Sequence, residues 1–180
     1  MNETTREADP QVGHAAGAAP AHAPILSARG VTVAFGRNVI LENLNLDVYP
    51  GEILGFVGAS GSGKSVLLRT VLGLTRKQTG RIELFGVDLD EADELQRMEL
   101  DMHVGVLFQH GALFSALTVK ENVQVPMREY LDLPQNLMDE LALLKIELVG
   151  LKADAADKFP SELSGGMIKR AGLARALALD

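Results

Sequence analysis

Residues 58–65 read Gly58-Ala59-Ser60-Gly61-Ser62-Gly63-Lys64-Ser65 and fit the pattern G-x-x-x-x-G-K-[ST]. The apolar run Ile53 to Val57 comes just before, after a Pro50-Gly51 turn, and reads as a short strand covered on both faces. Lys64 to Leu74 follows, with apolar residues at Val66, Leu67, Val71, Leu72 and Leu74, and reads as a helix whose last turn is weakened by Gly73. Strand, glycine loop and helix together make a βα unit, the setting in which this pattern has a mechanism. Gly58, Gly61 and Gly63 let the backbone wrap closely, so that successive N–H groups point at phosphate oxygens and the helix N-terminus adds its positive end. Ser60 and Ser62 complete the cradle. Lys64 is placed to reach the β and γ phosphates, and the Ser65 hydroxyl to bind Mg²⁺. By itself the loop fits a kinase, a GTPase or a motor equally well.

Working toward the N-terminus, Leu44, Leu46 and Val48 alternate with polar neighbours, as do Val31, Val33 and Phe35, and both stretches read as half-buried antiparallel strands. Met1 to Pro24 mixes charges with Ala, Gly, Pro and His, and lacks an apolar segment; it reads as a disordered tail with His14 and His22 solvated. Toward the C-terminus, Arg81 to Phe85 reads as a strand, Glu91 to Leu100 as a short acidic helix, and Val104 to Phe108 as a second fully buried strand. The acidic group Asp88, Asp90, Glu91, Asp93 and Glu94 reads as a solvated loop and helix start rather than a metal site. Beyond Gln109 the pattern is helical. Thr118 and Glu121 are spaced as a capping box, Leu137, Leu141, Leu144 and Leu148 form a stripe expected in the core, and a last helix starts near Ser164.

Composition narrows the function. The 180 residues are 47% hydrophobic and 23% charged, enough for about one domain with a sizeable core. A formal charge of -7 is the wrong sign for a dedicated nucleic-acid binder. With no cysteine there are no disulfides, thiolate zinc sites or cysteine nucleophile. No apolar run approaches the ~18 residues of a spanning helix, so any membrane role runs through a partner.

A second glycine motif separates the phosphate-binding classes. Leu163-Ser164-Gly165-Gly166-Met167 opens the last helix, with a serine N-cap and two glycines exposing backbone N–H groups. Alone it is a capped helix start; in this order after the P-loop, the chain resembles the ATP-binding cassette (ABC) ATPases, whose signature reads LSGGQ. The resemblance runs from Ile25 to Asp180. It implies an α/β P-loop NTPase (RecA-like) core with an antiparallel β subdomain and an α-helical signature subdomain over about residues 110–175. It implies ATP and Mg²⁺ as cofactors, and a head-to-tail homodimer in which Ser164, Gly165 and Gly166 meet the ATP of the opposite subunit. By the same resemblance Phe35 is the aromatic that stacks on adenine, although its face is shared with Val31 and Val33 and also suits a core residue. Gln109 corresponds to the Q-loop glutamine, which contacts the metal and the attacking water; His110 is left as a loop residue. Val66 stands where the family usually has threonine, so the backbone N–H remains and one α-phosphate contact is lost, about 1 kcal/mol. Met167 replaces the signature glutamine.

Gln109-His110-Gly111-Ala112-Leu113-Phe114-Ser115-Ala116-Leu117-Thr118-Val119, together with Met167, is similar to the ATPases of the Mla and Mce-associated phospholipid transporters. That implies a transmembrane permease as partner, small regulatory and lipid-binding proteins besides, no nucleic acid, and a peripheral place on the cytoplasmic face of the inner membrane. An ABC ATPase of another import or export system fits the same motifs. A soluble repair-type ABC protein would want coiled-coil insertions or a basic stripe. The family continues past the Ala174 to Asp180 segment into an apolar strand ending Asp-Glu, so the expectation is an N-terminal piece that hydrolyses ATP poorly alone, a non-hydrolysing nucleotide-binding module being the alternative.

Overall fold

The computed structural model describes residues 22–180, which divide into two compact units at Gln96 and Arg97. The expected tail up to residue 21, with His14, lies outside the described residues; His22 is exposed.

The first unit is built on β1 (Leu26–Phe35) and β2 (Asn38–Val48), joined by a two-residue turn at Gly36 and Arg37, with Phe35 opposite Asn38. β3 (Thr79–Leu84) pairs with the other edge of β1, and β4 (Val87–Asp88) with β3, giving an antiparallel sheet in the order β2-β1-β3-β4. The alternation predicted for the first two strands is observed. Ala28, Val31, Val33, Leu41, Leu46 and Ile82 face inward and pack with Leu67 of α1 (Lys64–Val71). The pairing of β1 slips around Arg29 and Gly30, and Gly80 sits against that irregularity; a Cβ on Gly80 would stand 2.5 Å from the Gly30 carbonyl oxygen. α1 ends earlier than its apolar pattern suggested: Leu72 caps it, Gly73 takes φ +71°, and Leu74 is exposed.

The second unit packs three helices, α3 (Val119–Tyr130), α4 (Gln135–Leu148) and α5 (Gly165–Ala176), after the short α2 (Glu94–Met102) within which the division falls. Val119, Val123 and Met127 from α3 meet Met138, Ala142 and Ile146 from α4 and Ala171 and Ala174 from α5. Buried Gln124 donates to the Asp139 carboxylate at 2.7 Å and accepts from Arg128 at 2.8 Å, so a polar cluster also fixes how α3 meets α4.

Three expectations are corrected here. The run Ile53 to Val57 is no buried strand: one isolated bridge falls at Phe56, Ile53 is 99% exposed and Val57 68%. Val104 to Phe108 likewise forms no strand, and Leu107 and Phe108 are about half exposed. A strand exists through its neighbours' hydrogen bonds, and among the described residues no ladder includes either run. The leucine stripe of α4 faces outward at Leu137, Leu144 and Leu148, while Met138, Ala142 and Ile146 face in. Both rows have helical spacing, and small Ala142 is what lets the helices approach on its side.

The capping box of α3 forms as expected. The Glu121 carboxylate accepts from the Thr118 N–H at 2.7 Å, and the Glu121 N–H donates to the Thr118 hydroxyl at 3.2 Å. The Thr118 N–H, then its hydroxyl, hold the Glu121 carboxyl below its ordinary 4.5. A carboxyl whose pKa is depressed by folding stabilises above its unfolded value and loses that contribution as pH falls through the folded one. The melting temperature should therefore drop faster on acidification below about pH 4.5 in the native chain than in Glu121→Gln. Parallel curves would remove the carboxylate from the cap.

Candidate functional site

The loop from Gly58 to Gly63 joins the extended run 53–57 to α1. Gly63, the N-cap, has φ +83°, and no side chain caps the helix, so the first N–H groups of α1 are left for an outside acceptor. A Cβ at Gly63 would lie 2.9 Å from Leu41 Cδ2 and 3.2 Å from the Ile40 carbonyl oxygen, which holds the loop tightly against β2. At Gly58 a Cβ would come within 2.7 Å of Ser62 Oγ, filling the inside of the cradle. Lys64 folds back over the loop and donates to the Gly58 and Ala59 carbonyl oxygens at 2.7 and 2.6 Å and to Ser62 Oγ at 3.2 Å. Its ammonium thus stands where an anion in the cradle would meet it. Ser65 is exposed in the first turn of α1, and Val66 packs toward the core behind it. Backbone donors, a captive cation and a hydroxyl beside them fit a polyphosphate carrying a magnesium ion.

Phe35 closes β1 beyond a slip in pairing between Val33 and Ala34, and is 56% exposed while Val31 and Val33 are fully buried. The extra residue of that slip lies on β2, so Phe35 keeps the phase of Val31 and Val33, yet as the last residue of β1 beside the turn it is exposed, which leaves its ring open for stacking.

In the second unit, Gln109 and His110 are exposed at the start of an irregular segment. Gly111 (φ +75°) and Ala112 (φ +48°) are both left-handed. Arg175 of α5 donates through Nη2 to the Gly111 carbonyl at 2.8 Å and through Nη1 to the Ala112 carbonyl at 2.7 Å. Phe114 is more than half exposed, with the Arg175 guanidinium 6.0 Å from its ring centre. Buried Asn122 then binds the segment from below, accepting from the Phe114 N–H and donating to the carbonyls of Phe114, Leu117 and Thr118. Sequence reading missed both roles, because neither residue belongs to a motif. Ser164 caps α5, accepting from the Met167 N–H at 3.4 Å, and Gly165 and Gly166 stand open with no atom near where a Cβ would be.

The glycine loop and Phe35 thus belong to the first unit, Gln109 and the Ser164 motif to the second. Among the described residues no three of His, Cys, Asp or Glu gather as a metal site. No helix among them is long and apolar enough to cross a membrane.

Residues 41–180 match the family described as ABC transporter. The chain is 42% identical over 155 residues to the probable ribonucleotide transport ATP-binding protein mkl of Mycobacterium leprae, covering 86% of this chain and 44% of the relative. It is also 42% identical over 156 residues to the intermembrane phospholipid transport system ATP-binding protein MlaF of Haemophilus influenzae, covering 87% of this chain and 59% of the relative. The chain thus spans about half the length of the curated relatives it matches. A dimeric ATP-binding cassette solved in a post-hydrolysis state, bound to ADP and Pi, superposes with a TM-score of 0.72 at 29% identity, over 85% of this chain and 69% of the other.

Proposed function

The chain belongs to the ABC transporter family, with the α/β fold of the P-loop NTPases, and from that premise we propose that it is the ATP-binding part of a subunit that energises a phospholipid transporter of the Mla and Mce kind. The observation that carries the ATP reading is the cradle of residues 58–63, with open helix N–H groups and Lys64 held across it. The phospholipid reading rests on the similarity to the MlaF protein; the similarity to mkl favours, as the second reading, an ABC system with another cargo.

In this reading residues 25–180 act as one nucleotide-binding domain whose helical part runs over about 110–175. Gly58, Ser60, Gly61, Ser62, Gly63 and Val66 present backbone donors to the phosphates, Lys64 neutralises charge on the β and γ groups, and Phe35 stacks on the base. Mg²⁺, when bound, offsets the charge that builds on the β and γ oxygens during transfer. Ser65 supplies a hydroxyl to it, and Gln109 orients water and senses the membrane partner. Ser164, Gly165 and Gly166 offer a second N–H cluster to the nucleotide of an opposing copy. The protein would work peripherally on the cytoplasmic face of the membrane, with a permease and with small regulatory and lipid-binding partners.

Phe114 tests the transport half of the proposal, since its ring is displayed on a segment held by Arg175 and Asn122. Phe114→Ala should cut lipid moved per ATP hydrolysed at least about tenfold while leaving the Kd for ATP within about twofold, because the ring lies outside the phosphate cradle. Equal losses in both would count against a coupling surface.

A further inference from the structure

We propose that Arg175 is a positioning residue that locks the segment after Gln109 onto the helix begun by the Ser164 motif, so that the two move as one body. Three independent features meet at this joint. The first is the fork: both guanidinium nitrogens of Arg175 reach adjacent carbonyl oxygens, those of Gly111 and Ala112. Two consecutive left-handed residues turn successive carbonyls to one side, as in a single turn of a left-handed helix, and only a planar fork meets both at once. Ala112 holds this conformation without glycine's freedom, so the strain persists only while something over-determines it.

The second feature is backbone against backbone. A Cβ on Gly172 would stand 2.8 Å from Gly111 Cα, and a Cβ on Gly111 would stand 2.8 Å from the Ile168 carbonyl oxygen. At Gly172 the segment and α5 touch backbone to backbone, and at Gly111 only the Ile168 backbone and its Cγ2 methyl stand against it, leaving little soft layer to absorb a shift. The third is Asn122, which ties Phe114, Leu117 and Thr118 to the start of α3 and removes slack on the far side. Arg175 is half-buried, and that burial draws its pKa down, yet an arginine stays charged, so the fork does not open with pH.

A displacement of α5 at Ser164–Gly166 would then reach Gln109 and Phe114 as the motion of one rigid piece rather than through a flexible loop. This rests on the proposed function for what such motion does; the joint itself does not depend on it. The 180 residues contain no tryptophan, so Phe114→Trp places a reporter on the segment. In the protein from its native source, the indole should tumble with the whole molecule. Adding Arg175→Ala should give it fast local motion, and Arg175→Lys, which keeps the charge without the fork, should fall between. With Phe114 restored, Arg175→Ala should lower kcat for ATP at least tenfold with KM within twofold, Arg175→Lys recovering part of the loss. Should Arg175→Ala fail to fold, judged by circular dichroism and melting, the lysine and glutamine variants carry both measurements. Unchanged indole motion in every Arg175 variant overturns the joint. Loosened motion with kcat unaltered, or with kcat and KM shifted together, overturns the positioning role. If the native protein hydrolyses no ATP, the proposed function fails, while the indole motion still decides the joint.

Discussion

Lys64→Ala should weaken ATP binding by at least about a hundredfold. A charge-assisted hydrogen bond contributes about 1.5–3 kcal/mol, and the Lys64 ammonium is positioned to give at least one of its three to a phosphate oxygen in exchange for a bond to the loop. The loop also depends on it: Nζ gathers the Gly58 and Ala59 carbonyls and Ser62 Oγ, and without it these oxygens face the incoming anion and repel it. About 3 kcal/mol is somewhat more than a hundredfold in Kd. Lys64→Arg should recover little, because a planar fork cannot sit where one compact charge contacts three oxygens from different directions. Titration with a fluorescent ATP analogue, alongside circular dichroism to establish folding, measures both variants. A loss below about threefold in Lys64→Ala would remove the lysine from the phosphate site, and with it the observation on which the ATP reading stands.

What the amino-acid order discloses depends on the range of the interaction. The glycine loop, the cap at Thr118 and the cap at Ser164 are each written within a few residues and all form. Hairpin strands β1 and β2 are nearly as local, since a two-residue turn brings partners together and alternation selects the face. The runs 53–57 and 104–108 are different: an apolar run records a tendency to be covered, while the strand itself needs ladder partners that the run does not encode. Helix α4 carries two rows at helical spacing, and the choice of Met138, Ala142 and Ile146 over the outer leucines is made by the surfaces of α3 and α5. Phe35 is exposed although it is in phase with Val31 and Val33, because it is the last residue of β1, beside the turn, which no period of two can foresee. Arg175 and Gly111 are 64 residues apart, and nothing in either neighbourhood names the other.

Asn122→Ala should cost about 3–4 kcal/mol of folding stability, the largest loss expected from any single polar side chain of the second unit. Its amide has two N–H donors for the carbonyls of Phe114, Leu117 and Thr118, so one is shared, and its oxygen takes the Phe114 N–H at 2.8 Å. Some three net bonds at about 1 kcal/mol each are lost, with the Phe114 N–H left unpaired and a small void where the fully buried Asn122 amide stood. Asn122→Asp should be worse still at neutral pH, although it is nearly the same shape. The new carboxylate could still accept from the Phe114 N–H, but it would face three carbonyl oxygens where donors stood, in a site closed to water. Burial and those oxygens raise the folded pKa of the introduced carboxyl above its unfolded value, so the folded form binds its proton more tightly. Stability of Asn122→Asp should therefore recover as pH falls through that raised pKa, while Asn122→Ala shows no such recovery. Urea unfolding of both variants at about pH 7 and about pH 5 separates the cases. An Asn122→Asp variant as stable as the native chain at neutral pH would mean that the amide does not donate to these carbonyls, leaving the Phe114 N–H bond as this side chain's hold on the segment.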